Sequence, residues 1–292
     1  MCGIVGLHIR NPDLHPQLGE LMSGMLCEMG DRGSDSSGVA VYGDPAWSPP
    51  GHGCVSLLEV DAGPDEVATA LGVSVTQLDA TYLLTAQAAS EDILATAKLA
   101  YPDALVAGFG ADLAVLKGVG HPRVLTERWG LTKAQGWQGV GHTRMATESA
   151  VTPAGAHPYA VGAEQCMVHN GSFANHATIR RELRAAGVSF DSENDTEVGA
   201  RFIARQLADG RDIEGALKEL CAVFDGFYTL LVSNRDSFAV VRDAIACKPA
   251  VIAETDDWVA MGSEYRALAG LPGVSSAKIW EPEPEVIYAW RR

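Results

Sequence analysis

Short apolar strands at both ends of this sequence, with helices between them, constrain its fold more than any other feature. Residues 3–9 (GIVGLHI) predict a buried strand at the very start, and short strands recur between residues 227 and 262. A last strand is predicted at 285–290. Helical patterns fill 176–224 instead. Strands and helices segregated in this way predict a layered α+β domain.

Size and composition restrict the function classes. The chain has 292 residues and is 47% hydrophobic, enough for a sizeable core in one large domain or two small ones. A net charge of −15 argues against nonspecific binding to nucleic acid or to an anionic membrane. The six cysteines form no C-x-x-C pair, so we predict neither a metal site nor a disulfide framework. No long apolar run or signal peptide is present, and we therefore expect a cytoplasmic protein.

The first half of the chain contains a helix and a separate small unit. Five apolar residues recur at helical spacing in 17–29 and predict core packing: Leu18, Leu21, Met22, Met25 and Met29. A small α/β unit is predicted as an insertion at about 44–138, without a catalytic cluster. Its predicted elements are helices at 64–71 and 90–100, an extended segment at 81–87, and a hairpin of 104–110 with 112–118.

Cys2 is a candidate nucleophile. If Met1 is removed, Cys2 carries both a thiol and a free α-amino group. An α-amine has an unperturbed pKa of roughly 7.7–8.0, so it can accept the thiol proton near neutral pH. Such an amine is a known means of activating a nucleophile for acyl transfer. The alternative is that Cys2 is a small buried hydrophobe of the first strand.

A tetrahedral intermediate formed by this thiolate needs hydrogen-bond donors for its oxyanion. Asn170 has a side-chain NH₂ group, and the backbone N–H of Gly171 can approach closely because no side chain intervenes. These two residues are therefore candidate oxyanion donors. The alternative is that Asn-Gly forms a tight turn after a strand.

Two charged residues fit the head of an amino-acid substrate. Arg144 ends an apolar strand and can hold a carboxylate through two parallel hydrogen bonds. Asp195 can pair with an α-ammonium group. The alternatives are a structural ion pair for Arg144 and a helix N-cap for Asp195. Arg32, in the polar loop 31–38, is a candidate structural cation that helps to order the terminal segment.

Five motifs occur in one order along the chain. They are Cys2, RGSDSSG at 32–38, GHTRMAT at 141–147, HNGS at 169–172 and NDTEV at 194–198. This combination resembles the glutaminase domain of class II glutamine amidotransferases, which belong to the N-terminal nucleophile hydrolase superfamily. The resemblance spans 2–42 and 139–270.

The resemblance implies a fold and a domain organisation. The expected fold is a four-layer αββα sandwich of two antiparallel sheets. The glutaminase domain would span 2–292, interrupted by the inserted unit at about 44–138. In this family the initiator methionine is cleaved, and Cys2 would attack the side-chain amide of glutamine to form a γ-glutamyl thioester.

The remaining site roles follow from the same resemblance. Asn170 and Gly171 match the oxyanion hole, Arg144 matches the carboxylate clamp, and Asp195 matches the group that holds the α-ammonium. Thr147 matches a threonine that lines the glutamine site. One departure is Glu148, since several members have histidine at that position.

Within the family, the chain most resembles the amidotransferase subunit of N-methylglutamate synthase and of other glutamate-synthase-like complexes. The inserted unit and the segments GVGHPRV (118–124) and GHTRMATESAVTP (141–153) carry this likeness. It implies partner subunits that hold FMN and an iron–sulfur cluster, with no cofactor in this chain. Two alternatives stay open: a stand-alone hydrolase of another γ-glutamyl amide, and a non-catalytic structural subunit if Met1 is retained.

Overall fold

A computed structural model describes residues 2–146 and 151–292, which form three antiparallel sheets and the helices that cover them. The strands are β1 (Gly3–Ile9), β2 (Ser36–Tyr42), β3 (Gly53–Leu58), β4 (Ser74–Leu78), β5 (Thr81–Ala86), β6 (Leu105–Gly110), β7 (Leu113–Val119), β8 (Gln138–Arg144), β9 (Cys166–Phe173), β10 (Gly226–Ser233), β11 (Ser237–Arg242), β12 (Val251–Glu254), β13 (Trp258–Gly262), β14 (Lys278–Trp280) and β15 (Tyr288–Arg291). The α-helices are α1 (Leu18–Glu28), α2 (Pro64–Leu71), α3 (Ser90–Ala100), α4 (Pro122–Arg128), α5 (His176–Ala185), α6 (Asp195–Ala208) and α7 (Ile213–Val223).

Strand β1 is the centre of the seven-stranded first sheet, whose order is β14-β12-β13-β1-β8-β2-β7. It pairs antiparallel with β13 on one side and with β8 on the other. All seven of its residues are buried. Because both faces of this strand are covered, its sequence is almost continuously apolar instead of alternating. The central position of β1 fixes Cys2, the residue before it, at one edge of the domain core.

The second sheet, β15-β11-β10-β9, packs face to face on the first. Ile4, Leu231 and Phe238 meet in the core between the two sheets. Helix α1 covers the outer face of the first sheet, and the predicted methionine stripe is packed there. Helices α5–α7 cover the outer face of the second sheet. The predicted four-layer αββα sandwich is therefore confirmed.

The third sheet has the order β4-β5-β3-β6 and is covered by α2 and α3. Its β-α-β-β-α-β succession is that of a ferredoxin-like unit. Here the predicted hairpin of 104–110 with 112–118 is wrong, because β6 pairs with β3 whereas β7 pairs with β2 of the first sheet. The backbone N–H and C=O groups of β6 and β7 therefore form their hydrogen bonds in different sheets. The insertion bounds of about 44–138 stay a prediction, within which the third sheet spans 53–110.

Three further properties concern the described residues as a set. The six cysteines all lie among them and form no disulfide. None of their helices has the length and apolar character needed to cross a bilayer. No group of three or more His, Cys, Asp or Glu side chains in 2–146 and 151–292 is arranged to hold a metal ion.

Candidate active site

Cys2 lies at the start of the central strand, and its surroundings are polar. Its side chain is half-buried, and the backbone N–H of Met145 donates to Sγ at 3.4 Å. Its carbonyl oxygen accepts hydrogen bonds from Arg32 Nε at 2.9 Å and from Asn170 Nδ2 at 3.1 Å. The alternative that Cys2 is a buried hydrophobe of the first strand is therefore wrong. Cys2 is held by polar contacts with Arg32, Met145 and Asn170, which lie 30, 143 and 168 positions away along the sequence.

Arg32 links the terminal segment to the end of β13. Its guanidinium is 9% exposed and contacts Glu264 through Nη1 at 2.5 Å. This hydrogen bond from Arg32 is the main cause that lowers the pKa of Glu264. Glu264 also accepts from Arg266 Nε at 2.9 Å. A chain of ion pairs thus runs from Arg266 through Glu264 to Arg32, which binds the carbonyl oxygen of Cys2. This geometry agrees with a structural role for the Arg32 cation.

Asn170 is buried between the two sheets, where its side-chain amide contacts three polar groups. Nδ2 donates to Cys2 O at 3.1 Å and to Ser263 Oγ at 3.2 Å. Oδ1 lies 2.9 Å from His142 Nε2. Burial lowers the pKa of His142 to about 3, so the ring is neutral at neutral pH and donates from Nε2. The Asn170 amide is therefore oriented by contacts at both of its ends.

Asn170 and Gly171 lie within β9 and do not form a turn, so the tight-turn alternative is wrong. They pair with Thr229 and Tyr228 of β10. Gly171 has a φ of +135°, and a Cβ atom there would lie 2.0 Å from Phe227 O. Only glycine permits this backbone conformation together with so close an approach of β10.

Arg144, Gly171 and Asp195 line one cleft of about 700 Å³. Arg144 is the last residue of β8 and is buried. Asp195 is the first residue of α6, and its Oδ2 accepts the backbone N–H of Phe173 at 2.9 Å. Lys248 lines the cleft as a further cation. The cleft therefore offers charges of both signs, as the zwitterionic head of an amino acid requires.

The N-cap alternative for Asp195 is wrong, because Asn194 caps α6. Asn194 Oδ1 accepts the backbone N–H of Thr196 at 2.9 Å. Asp195 Oδ1 has no hydrogen bond within the described residues, so this oxygen is available to a ligand. Asp195 thus combines a structural contact at one oxygen with a binding capacity at the other.

Two of the residues named from the sequence, Thr147 and Glu148, lie outside the described residues. The segment just before them is held by Asp35, whose Oδ2 accepts the backbone N–H of Ala146 at 2.8 Å. Sequence reasoning gave no role to five residues that take part in the site: Asp35, His142, Lys248, Ser263 and Glu264. Asp35 and His142 lie inside the motifs that carry the resemblance, so their position could have identified them. Lys248, Ser263 and Glu264 lie outside all five motifs, and no sequence pattern indicates a role for them.

Comparison with known proteins gives the family. Residues 142–270 match the model of the glutamine amidotransferase domain. The glutamine amidotransferase-like protein GlxB of Rhizobium meliloti (strain 1021) is 45% identical over 300 residues, covering 99% of this chain and 98% of its own length. The chain belongs to the class II glutamine amidotransferases. A putative glutamine amidotransferase of Methanothermobacter thermautotrophicus is 27% identical, with 99% of each chain covered.

Among solved structures, the glutamine phosphoribosylpyrophosphate amidotransferase of B. subtilis superimposes with a TM-score of 0.64. The identity is 18%, and the match covers 99% of this chain and 49% of that one. This chain therefore corresponds to about half the length of that enzyme. The likeness concerns the fold, and it agrees with the layered sandwich described above.

Proposed function

We propose that this amidotransferase cleaves the side-chain amide of glutamine with Cys2 as its nucleophile. Once Met1 is removed, the α-amine of Cys2 accepts the thiol proton, and Sγ attacks the amide carbon. The tetrahedral intermediate collapses to a γ-glutamyl thioester as the C–N bond breaks, and the same amine returns the proton to the leaving nitrogen. Water then hydrolyses the thioester to glutamate. The products are glutamate and ammonia.

The contact between Asn170 Nδ2 and Cys2 O, across 168 positions of sequence, is the observation that carries this proposal. It brings the candidate nucleophile and the candidate oxyanion donor together at the start of β1. The two hydrogen bonds from Nδ2 are 3.1 and 3.2 Å long. Hydrogen bonds to an ionised oxygen are shorter and stronger, so Nδ2 can exchange one of these bonds for the oxyanion. Such contacts commonly tighten only in the reacting complex.

Substrate recognition in this proposal uses the charges of the cleft. Arg144 holds the α-carboxylate, and the available oxygen of Asp195 accepts the α-ammonium. An amide that lacks either group would lose one of these two charge pairings, so the site should bind it more weakly. Thr147, which the family resemblance places at the glutamine site, completes the set.

We further propose that the ammonia passes to a partner synthase that resembles N-methylglutamate synthase. The support is the likeness of the inserted unit and of segments 118–124 and 141–153 to amidotransferase subunits of glutamate-synthase-like complexes. FMN and an iron–sulfur cluster would lie on partner subunits. Direct transfer has a chemical reason, because ammonia released at neutral pH is protonated and loses its nucleophilicity.

Steady-state kinetics test the proposal. Cys2→Ala should abolish glutamine hydrolysis while the protein remains folded, because the change removes a single sulfur atom. Cys247→Ala is the matched control, since it removes an exposed free thiol and leaves Cys2 unchanged, and it should keep wild-type turnover. Glutamine hydrolysis by Cys2→Ala would overturn the nucleophile assignment. Faster turnover of γ-glutamylmethylamide than of glutamine would favour the stand-alone hydrolase.

A further inference from the structure

We propose that His142 is a positioning residue of the oxyanion hole: its Nε2–H holds the Asn170 amide so that Nδ2 points towards the reacting carbon. The inference rests on the proposed function, in which Asn170 donates to the oxyanion. His142 lies in β8 of the first sheet and Asn170 in β9 of the second. The contact therefore spans the two sheets at the site.

The orientation of the Asn170 amide depends on what its oxygen meets. A flipped amide would place Oδ1 against Cys2 O, and two oxygen atoms at 3.1 Å repel each other when no hydrogen lies between them. In the observed orientation, Oδ1 accepts from His142 at 2.9 Å. Both residues are at most 4% exposed, so water has little access to replace this donor. His142 thus supplies the partner that Oδ1 needs once Nδ2 is committed to the oxyanion.

Two more buried histidines surround this contact. His157 stacks on His142 with ring centroids 4.1 Å apart. His157 Nε2 lies 2.9 Å from Thr196 Oγ1, and His169 Nδ1 lies 3.0 Å from the same oxygen. Thr196 follows Asp195 in α6. The cluster therefore joins the amide of the oxyanion hole to the helix turn that carries the proposed ammonium-binding carboxylate.

These rings act as neutral groups. Burial lowers the pKa of His169 to about 4 and that of His157 well below its ordinary value, as it does for His142. A neutral ring can donate from one nitrogen only, so His142 is committed to Asn170. Its role is to orient the donor and not to transfer protons, because its one N–H is directed at Asn170 Oδ1.

Two substitutions distinguish the effect of the His142 N–H donor from the effect of its aromatic ring. His142→Phe keeps an aromatic ring against His157 but removes the N–H, whereas His142→Gln keeps an N–H donor and removes the ring. Loss of an oxyanion donor typically lowers kcat by about 10²–10³. We expect His142→Phe to lower kcat at least tenfold with KM changed less than threefold, and His142→Gln to keep most of the wild-type kcat. His8→Phe is the matched control, because His8 is a buried histidine bonded to Gln138 and should leave kcat unchanged.

A second measurement reports the oxyanion hole directly. Cys2 Sγ adds to the carbonyl carbon of the γ-aldehyde analogue of glutamine while the α-amine takes the thiol proton. The carbonyl oxygen becomes the alkoxide of the tetrahedral adduct and occupies the oxyanion hole. Glutamate, in contrast, tests only the recognition of the amino-acid head. We expect His142→Phe to weaken binding of the aldehyde at least tenfold and that of glutamate less than threefold.

These measurements distinguish a failure of the inference about His142 from a failure of the proposed function. Wild-type kcat and aldehyde affinity in His142→Phe would overturn the inference, as would a folded His142→Gln that has lost kcat. Equal weakening of aldehyde and glutamate in His142→Phe would also overturn it, since this indicates a general structural role. If His142→Phe does not fold, His142→Leu, which also removes the N–H donor, is measured in its place. A wild-type protein that neither hydrolyses glutamine nor binds the aldehyde refutes the proposed function instead.

Discussion

At the residue scale, Arg144 and Asp195 place opposite charges on the walls of one cleft. Replacing Arg144 by Lys keeps the charge but loses the planar fork that binds a carboxylate with two parallel bonds. A lost hydrogen bond to a charged group corresponds to about 1.5–3 kcal/mol, so we expect KM for glutamine to rise about tenfold to hundredfold. We expect a much smaller change in kcat, because the α-carboxylate is remote from the reacting bond. An unchanged KM in steady-state kinetics would remove Arg144 from the pocket.

A second prediction at the residue scale concerns Gly171. An alanine there would occupy a left-handed backbone conformation and place its Cβ 2.0 Å from Phe227 O. Gly171→Ala should therefore lower the free energy of unfolding by more than the roughly 1–3 kcal/mol of backbone strain alone. Gly187→Ala is the control, since Gly187 also has a positive φ but no heavy atom within 4 Å of the added Cβ. Equal losses for the two variants in urea unfolding would contradict the steric argument.

The sequence predicts single residues of the site better than the contacts among them. Motif order was sufficient to propose that Cys2 and Asn170 act together. It could not show that His142 donates to Asn170, or that Ser263 and Glu264 contact the same site. Those contacts join residues 28, 93 and 232 positions apart, and they exist only because β1 lies between β8 and β13.

At the element scale, the cap of α6 positions the carboxylate of Asp195. Asn194→Ala removes the side-chain oxygen that accepts Thr196 N–H, which should lower the free energy of unfolding by about 1 kcal/mol. It should also raise KM for glutamine severalfold, because the first turn of α6 then holds Asp195 less firmly. Asp212→Ala removes the N-cap of α7 and serves as the control, with a similar loss of stability and no change in KM. If both variants raise KM equally, the capping argument fails.

Element identity follows from local pattern, whereas sheet membership does not. The apolar run of β1 and the helical spacing in α1 were sufficient to locate both elements. Strands β6 and β7 were also located, but their pairing was wrong, because a short connection cannot reveal that the two strands enter different sheets. Strand β4 was missed since it is short and mostly exposed, which leaves little apolar pattern.

At the scale of the whole molecule, buried neutral histidines make stability depend on pH. His142, His157 and His169 have lowered pKa values in the fold, but each regains an ordinary value of about 6.5 when the chain unfolds. Below about pH 6.5 the unfolded chain therefore binds protons that the folded protein does not. The contribution of each of these histidines to the free energy of unfolding should be constant above that pH and fall below it, by about 1.4 kcal/mol per pH unit.

Urea unfolding between about pH 7.5 and about pH 5.5 measures this slope. His157→Phe keeps an aromatic ring in the stack and removes one titrating group, so its stability should fall less steeply with acid. A stability that does not change over this range, or an equal slope in the variant, would contradict the presence of neutral buried histidines.

The most direct test of the account is to locate the covalent adduct formed by a glutamine analogue with an electrophilic γ-diazoketone. Mass spectrometry of the inactivated protein should find one label, on a terminal peptide that begins at Cys2 with a free α-amine. The Cys247→Ala variant should be labelled equally. A fully active protein that retains Met1, or a label on another cysteine with Cys2 unmodified, would contradict the claim that the terminal cysteine is the nucleophile.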